Sequence, residues 1–205
     1  MGSGTDSIVP VRRATKPSVD KILEAAEKVF AKHGYAVVSL RQLMAAARVS
    51  TTAFYARFDS KEAVMAALVT RLLGELYAAA PIVLDRSSHL QARIENTAKL
   101  LCDRLGPRKA LVRLILSESG SVPVAVEARR RAYEMLATLL AARLRTYADR
   151  HQMDVPDPAA LAWAVLGALE IQVVRWAVWN EFDLETLREQ LRSAAFAVLP
   201  RMEPG

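Results

Sequence analysis

What this chain has little of narrows its chemistry before any motif is read. One cysteine, Cys102, stands among 205 residues, so no intrachain disulfide can form and a reducing compartment is expected. The three histidines, His33, His89 and His151, are scattered and fall into no paired-His or Cys-His zinc pattern. Neither a glycine-rich phosphate loop nor a GxSxG elbow is present. Cys102 lies between Leu101 and Asp103 on an expected helix, which suits packing better than attack. If exposed, with its pKa lowered, it would be a thiol sensor. No enzyme, cofactor or metal site is expected. The longest apolar run, Ala159 to Leu169, is too short to cross a bilayer and stops at Glu170. No apolar signal core opens the sequence, so the expectation is a cytoplasmic protein with no membrane partner.

Aromatic residues make up only 6%, against 52% hydrophobic residues in all. Ala and Leu dominate that fraction and both favour helix. Period-two alternation is scarce, which argues against a sheet. An all-α fold follows. Residues 1–17 show no period and read as a basic arm. Ser18 can cap a first helix, in which Ile22, Ala25, Ala26, Val29 and Phe30 recur at helical spacing before Gly34 stops it. From Ser60 the pattern predicts helices over about 61–80, 88–105, 108–117, 124–149, 159–180 and 184–199, with Pro81 and Gly106-Pro107 among the breaks. The net charge of +6 is unevenly spread. Residues 1–61 hold ten Lys/Arg against five Asp/Glu, and the remainder holds eighteen against seventeen. A basic end suits a polyanionic partner.

That basic end also contains two short helices joined by a tight turn. Ser39 can cap the first, with Leu40, Leu43 and Met44 as its apolar face. Ala47-Arg48-Val49 makes the turn, and Ser50 or Thr51 caps the second. This is the order of a helix-turn-helix that lays its second helix in the major groove of double-stranded DNA. Ser50, Thr51, Thr52 and Ala53 are small enough to bring the helix end to base edges. Ser and Thr can bond to bases or phosphates, and Ala or a Thr methyl can meet a thymine methyl. Tyr55, Arg57 and Lys61 are phosphate candidates, Lys61 lying in the first turn of the next helix, where free N–H groups hold anions. Ser39 and Arg41 would bring a second helix start to the backbone. Arg12, Arg13 and Lys16 would follow the minor groove or a phosphate strand. Phe54 and Phe58, four apart, should bury against the first two helices. A helical bundle with a solvated charged face is the alternative.

The run Val49 to Glu62 resembles the recognition-helix signature of the tetracycline-repressor (TetR/AcrR) family, with Tyr55, Phe58, Lys61 and Glu62 in the family's places. The first helix is similar too, through Ile22-Leu23, Ala25-Ala26, Phe30 and His33-Gly34-Tyr35. The likeness covers about residues 18–65. It departs at Arg48, where the family usually has Gly. If that position needs positive φ, Arg adopts it at some cost; Arg48 can also add a phosphate contact. Thr51-Thr52 replace the family's frequent Gly or Pro. The resemblance implies an arm at 1–17, a helix-turn-helix head at 18–61, and a ligand-binding and dimerisation domain at 62–205. It also implies a homodimeric repressor on a palindromic operator, released by a small, largely apolar effector.

Trp163, Leu166, Glu170 and Val173 fall near one face of a helix that would wall such a pocket. Glu170 sits in an apolar stretch and needs a partner, which Arg113, Arg175 or a ligand cation could supply. Cys102, Tyr133 and Met135 join the ligand candidates because they lie on helices that usually line pockets in this family. Arg129-Arg130-Arg131 reads as a solvated face. For the dimer, Ala160, Ala164, Gly167, Ile171 and Val178 form one stripe, and Leu187, Leu191, Ala194, Ala195 and Val198 another. Two such pairs would make a four-helix interface; intrachain core is the other reading of both.

Overall fold

Small polar residues and one glycine set the first helix ends. The computed structural model describes residues 19–85 and 89–199; Arg12, Arg13, Lys16 and the Ser18 cap lie outside them. α1 (Val19–His33) buries Ile22, Leu23, Ala25, Ala26 and Phe30, the face its period dictates. Gly34 ends it at φ +83°, a left-handed conformation open to glycine. α2 (Leu40–Ala47) opens on a full capping box. The Ser39 hydroxyl accepts the Gln42 N–H, and the Gln42 side chain accepts the Ser39 N–H. It closes on Arg48 at φ 52°, ψ 48°. The turn therefore does need the left-handed region, and arginine occupies it. α3 (Thr51–Tyr55) starts at Ser50, whose hydroxyl accepts the Ala53 N–H at 3.2 Å.

α4 (Lys61–Asp85) runs through Pro81, where a stop was expected. Proline removes one helix hydrogen bond and crowds the preceding turn. Upstream, however, the helix is fixed by Val64, Met65, Leu68 and Val69, all fully buried, and extending a formed helix needs no new nucleus. The remaining elements are α5 (Leu90–Leu105), α6 (Lys109–Glu118), α7 (Pro123–His151), α8 (Pro158–Ala177) and α9 (Leu184–Val198), with 3₁₀ turns at Gly106–Arg108 and Ser119–Ser121. Every regular element among the described residues is helical. Pro123 and Pro158 each occupy a first turn, where the missing N–H is no loss.

α4 packs along α7, α7 along α8, α8 along α9, and α5 against both α4 and α9. α6 touches α1 on one side and α8 on the other. One apolar cluster runs from Ile22 and Phe30 through Phe54, Met65 and Leu68 to Ile115, Trp176 and Leu191, so the head and the larger unit share a core. A second cluster at the far end contains Leu90, Ile94, Leu144, Tyr147, Val165 and Leu199. In length and composition, α8 and residues 61–80 of α4 match a membrane span; the α4 window is 44% buried and the α8 window only 22%. Trp163, Ala164, Gly167 and Ile171 of α8 are exposed.

Candidate nucleic-acid interface and internal cavity

Phe54 and Phe58 are buried, their ring centroids 6.0 Å apart, and this fixes which side of α3 faces out. Thr51, Thr52 and Tyr55 are spaced to share a face, and all are exposed, as are Ser50 and Arg57. Ala53 is half-buried. Ser39, Arg41 and Arg48 are exposed at the two ends of α2. The Ser39 hydroxyl is already committed, since it also donates to Gln42 Oε1 at 2.9 Å.

Lys61 is placed differently from the free phosphate anchor read in the sequence. Its ammonium donates to the carbonyl oxygens of Tyr35 at 2.9 Å and Val38 at 3.0 Å, and stands 4.2 Å from the Tyr35 ring centroid. Two of its three N–H groups therefore hold the turn between α1 and α2. The Tyr35 hydroxyl donates to Glu62 Oε1 at 3.1 Å. Burial, then Glu62, pushes the Tyr35 pKa up to about 12. The Glu62 carboxyl is held below its usual value by its own backbone N–H and by Ser60. The Ser-Lys-Glu motif locks the start of α4 to the head.

α6 grips the head from its other end. Glu118 Oε2 accepts the Tyr35 N–H at 2.8 Å. Arg108, just ahead of α6, donates to Glu27 of α1 at 3.0 Å and to Glu75 of α4 at 2.9 Å, and Arg71 of α4 reaches Glu27 at 2.7 Å. Burial acts to lower the Arg108 pKa, but the bond to Glu27 and the charges of Glu27 and Glu75 raise it overall. None of these contacts was read from the sequence. Tyr35 and Glu118 lie 83 positions apart, and Glu27 and Arg108 lie 81 apart, so no local pattern marks them.

Inside the bundle lies a cavity of about 220 Å³, larger than the ~150 Å³ apolar cavity that admits benzene. Leu72 and Leu76 of α4, Val112 and Ile115 of α6, Leu136 and Leu140 of α7 and Leu166 of α8 help to wall it. Of the ligand candidates, Tyr133, Leu166, Glu170 and Val173 line it. The partner of Glu170 is the Tyr133 hydroxyl, not Arg113 or Arg175. Burial, then the charge of Glu170 and this bond, push the Tyr133 pKa up. Arg175 turns instead to Glu181 at 2.8 Å and Gln172 at 2.9 Å.

The other four ligand candidates lie off the wall. Arg113 is exposed, on the side of α6 away from Val112 and Ile115. Met135 is 49% exposed, about 200° round α7 from Tyr133 at 100° per residue. Trp163 is 47% exposed and belongs with the outer stripe of α8. Cys102 is buried, its thiol donating towards the Leu184 carbonyl at 3.8 Å. Burial pushes its pKa up, the opposite of a thiol sensor. Arg130 and Arg131 form the expected solvated face, paired with Glu127, whereas Arg129 lines the cavity.

The two dimer stripes part company. Ala160, Ala164, Gly167 and Ile171 are exposed on α8, with Val178 half-buried. Leu187 and Leu191 are 0% exposed and sit in the protomer's own core, since α9 spends its apolar stripe on α5 and α8. They are not interface residues. Ala194 and Val198 are half-buried and Ala195 is buried.

Residues 22–68 match the signature described as bacterial regulatory proteins, tetR family. An uncharacterized HTH-type transcriptional regulator of Mycobacterium tuberculosis is 32% identical over 105 residues, 49% of this chain and 51% of that protein. The chain thus spans about half the length of the relatives it matches. Among solved structures, a chain from Syntrophomonas wolfei assigned to the TetR-family transcriptional regulators superposes with a TM-score of 0.78 at 18% identity, covering 88% of this chain and 94% of that one. The flavonoid-responsive regulator FrrA gives 0.66 at 24% identity, covering 89% and 95%. Regulatory protein TetR from Rhodobacter sphaeroides gives 0.67 at 20%, covering 86% and 96%. At these identities the likeness is one of fold.

Proposed function

From the match of residues 22–68 to the tetR family of bacterial regulatory proteins, we propose that the chain is a transcriptional repressor of that family that binds a palindromic operator as a homodimer and leaves it when a small apolar effector fills the cavity. One observation carries this reading. The two helices that hold the head, α4 and α6, are also walls of the cavity, through Leu72 and Leu76 and through Val112 and Ile115. A ligand between them acts on both grips at once. Two recognition helices must stand about 34–36 Å apart to reach successive major grooves, so a small rotation of α4 releases the operator. The effector shifts the balance only by binding the released shape more tightly. A flavonoid-responsive neighbour with this fold supports an effector-driven switch.

In this reading Thr51 and Thr52 of α3 read bases, with Ser50 and Ala53 allowing close approach. Tyr55 and Arg57, with Arg41 and Arg48, hold phosphates. The dimer forms through the outer stripe of α8. A Cβ added at Gly167 would meet nothing within 4 Å, so this protomer alone gives no reason for a glycine there. A second copy, laying the same stripe across the first, does. Ile171 within it and Trp163 and Trp179 beside it, all exposed, add apolar surface that a partner would cover.

The test is binding of the purified protein to palindromic duplexes from its own upstream region, against random duplex, over a salt series. We expect a preference of at least about a thousandfold, with log affinity falling linearly in log salt. Arg57→Ala should weaken every sequence alike and reduce the slope by about one. Thr51→Ala or Thr52→Ala should change which sequence is preferred. Equal affinity for random and palindromic DNA would end the reading.

A further inference from the structure

The cavity is long rather than round. Tyr133 and Tyr147, both on its wall, are fourteen residues apart on α7, about 21 Å at 1.5 Å per residue. Between them α7 offers Leu136, Leu139 and Leu140. At the α6 end the one carboxylate among the described lining residues, Glu170, is already met by the Tyr133 hydroxyl, with Arg129 beside them. A ligand cation at that end would meet the Arg129 guanidinium beside the carboxylate. At the opposite end Arg93 and Arg143 enter the wall, and both also border a polar recess formed with Thr146, Tyr147 and Arg150. That recess is formed by three arginines and two hydroxyl-bearing residues, with no carboxylate among the described residues that form it. Arg93 and Arg143 are half-buried, and the Arg93 guanidinium lies 5.2 Å from the Tyr147 ring centroid, which helps to fix its direction. Both also interact within the protein, but a guanidinium has five N–H donors to share. Half-buried guanidinium forks match the paired oxygens of carboxylate or phosphate.

We propose that the cavity takes a linear acyl chain with an anionic head, the chain lying along α7 and the head bound by Arg93, Arg143 and Arg150. The shared chemistry is an extended apolar tail ending in carboxylate or phosphate oxygens, as in a free fatty acid or an acyl thioester of a phosphorylated carrier. This deepens the reading of the cavity as an effector site and rests on it.

The test is isothermal titration of the full-length protein with dodecanoate, dodecanoyl-coenzyme A, dodecanol and dodecyltrimethylammonium, each below its micelle threshold. One of the two anions should bind at least about tenfold more tightly than dodecanol, the gain expected of charge-assisted hydrogen bonds, and the cation should bind most weakly. Whichever anion is tighter identifies the source of the head group. The Arg93→Gln/Arg143→Gln variant should lose that advantage and keep its dodecanol affinity. Arg150→Gln, at an exposed position and so no threat to folding, should weaken the anions in the same direction. Leu166→Trp, which fills the slot and leaves the arginines in place, should abolish all binding. Equal affinity for dodecanol, tighter binding of the cation, no binding of either anion, or dodecanoate binding that survives Leu166→Trp would each overturn the proposal. A DNA-release assay separates the two readings. If dodecanoate binds and leaves operator affinity unchanged, the ligand assignment stands and the release mechanism fails. If another molecule releases the operator while neither anion binds, the reverse holds.

Discussion

Lys61 shows how a side chain in a recognisable place takes a role that its place does not announce. In the first turn of a helix, lysine suggests an anion contact. Here two of its N–H groups hold the Tyr35 and Val38 carbonyls, which are otherwise part-buried acceptors at the joint of α1, α2 and α4. Lys61→Ala should therefore lower folding stability by about 1–3 kcal/mol, the cost of stripping a charged donor from such groups. Urea unfolding followed by circular dichroism measures it. Lys61→Met keeps the aliphatic stem and should lose nearly as much. A lysine serving only as a phosphate contact would leave stability unchanged and reduce the salt slope of DNA binding by about one. Arg48 makes the complementary point. Its left-handed φ of 52° is met without glycine, and its side chain stands exposed on the head.

At the scale of elements, the parts that were legible are those whose cause is local. Ser39 and Ser50 cap α2 and α3 because a hydroxyl can reach an N–H three residues on. Phe54 and Phe58 share a buried side because they are four apart. The end of α4 was misread because Pro81 is a local stop signal, overridden by burial upstream. α9 was misread for a different reason. An apolar stripe says that a helix is covered, but not by what, and Leu187 and Leu191 are covered by their own protomer. Tyr133 as the partner of Glu170 needed three-dimensional placement, since α7 and α8 meet only in the fold. The division of labour between α8 and α9 is testable. Ile171→Glu, at a position 41% exposed, should change protomer stability by no more than about 0.5 kcal/mol, yet place a charge inside the proposed interface. We expect a folded monomer by light scattering, with palindromic DNA binding much weakened. Leu187→Ala, at a fully buried site, should instead cost about 2–5 kcal/mol and melt the protomer itself. A dimeric Ile171→Glu protein would rule out the α8 face.

Across the whole molecule, carboxylates that are paired or capped in the fold set the acid end of its pH range. Glu62, Glu95, Glu127 and Asp183 all have pKa values below their usual ones. Glu62 is held by its backbone N–H and Ser60, Glu95 by Arg188 and Arg192, Glu127 by Arg130 and Arg131, and Asp183 by the Thr186 N–H. For a depressed carboxyl the unfolded chain binds its proton first as pH falls. The stabilisation is fully present above the unfolded values, near 4.5 for Glu, and is lost through the folded ones, down to about 2 at Glu127. The chain is already basic, with net charge +6, so each protonation also adds to self-repulsion. The tyrosines act at the other end. Tyr35 is raised from 10.0 to about 12 and Tyr133 is raised as well, by burial first and a neighbouring glutamate second. A raised phenol keeps its proton in the fold while the unfolded chain gives it up, so stability falls as pH climbs from 10 towards 12. Thermal melting in a pH series should thus show a plateau between about pH 6 and 9, an acid decline starting near pH 5, and an alkaline decline starting near pH 10. Glu127→Gln, which removes the titrating group, should shorten the acid decline at its lowest end and leave the alkaline limb in place. An acid limb that stays flat to pH 3 would mean that these carboxylates are held no better in the fold than in the unfolded chain.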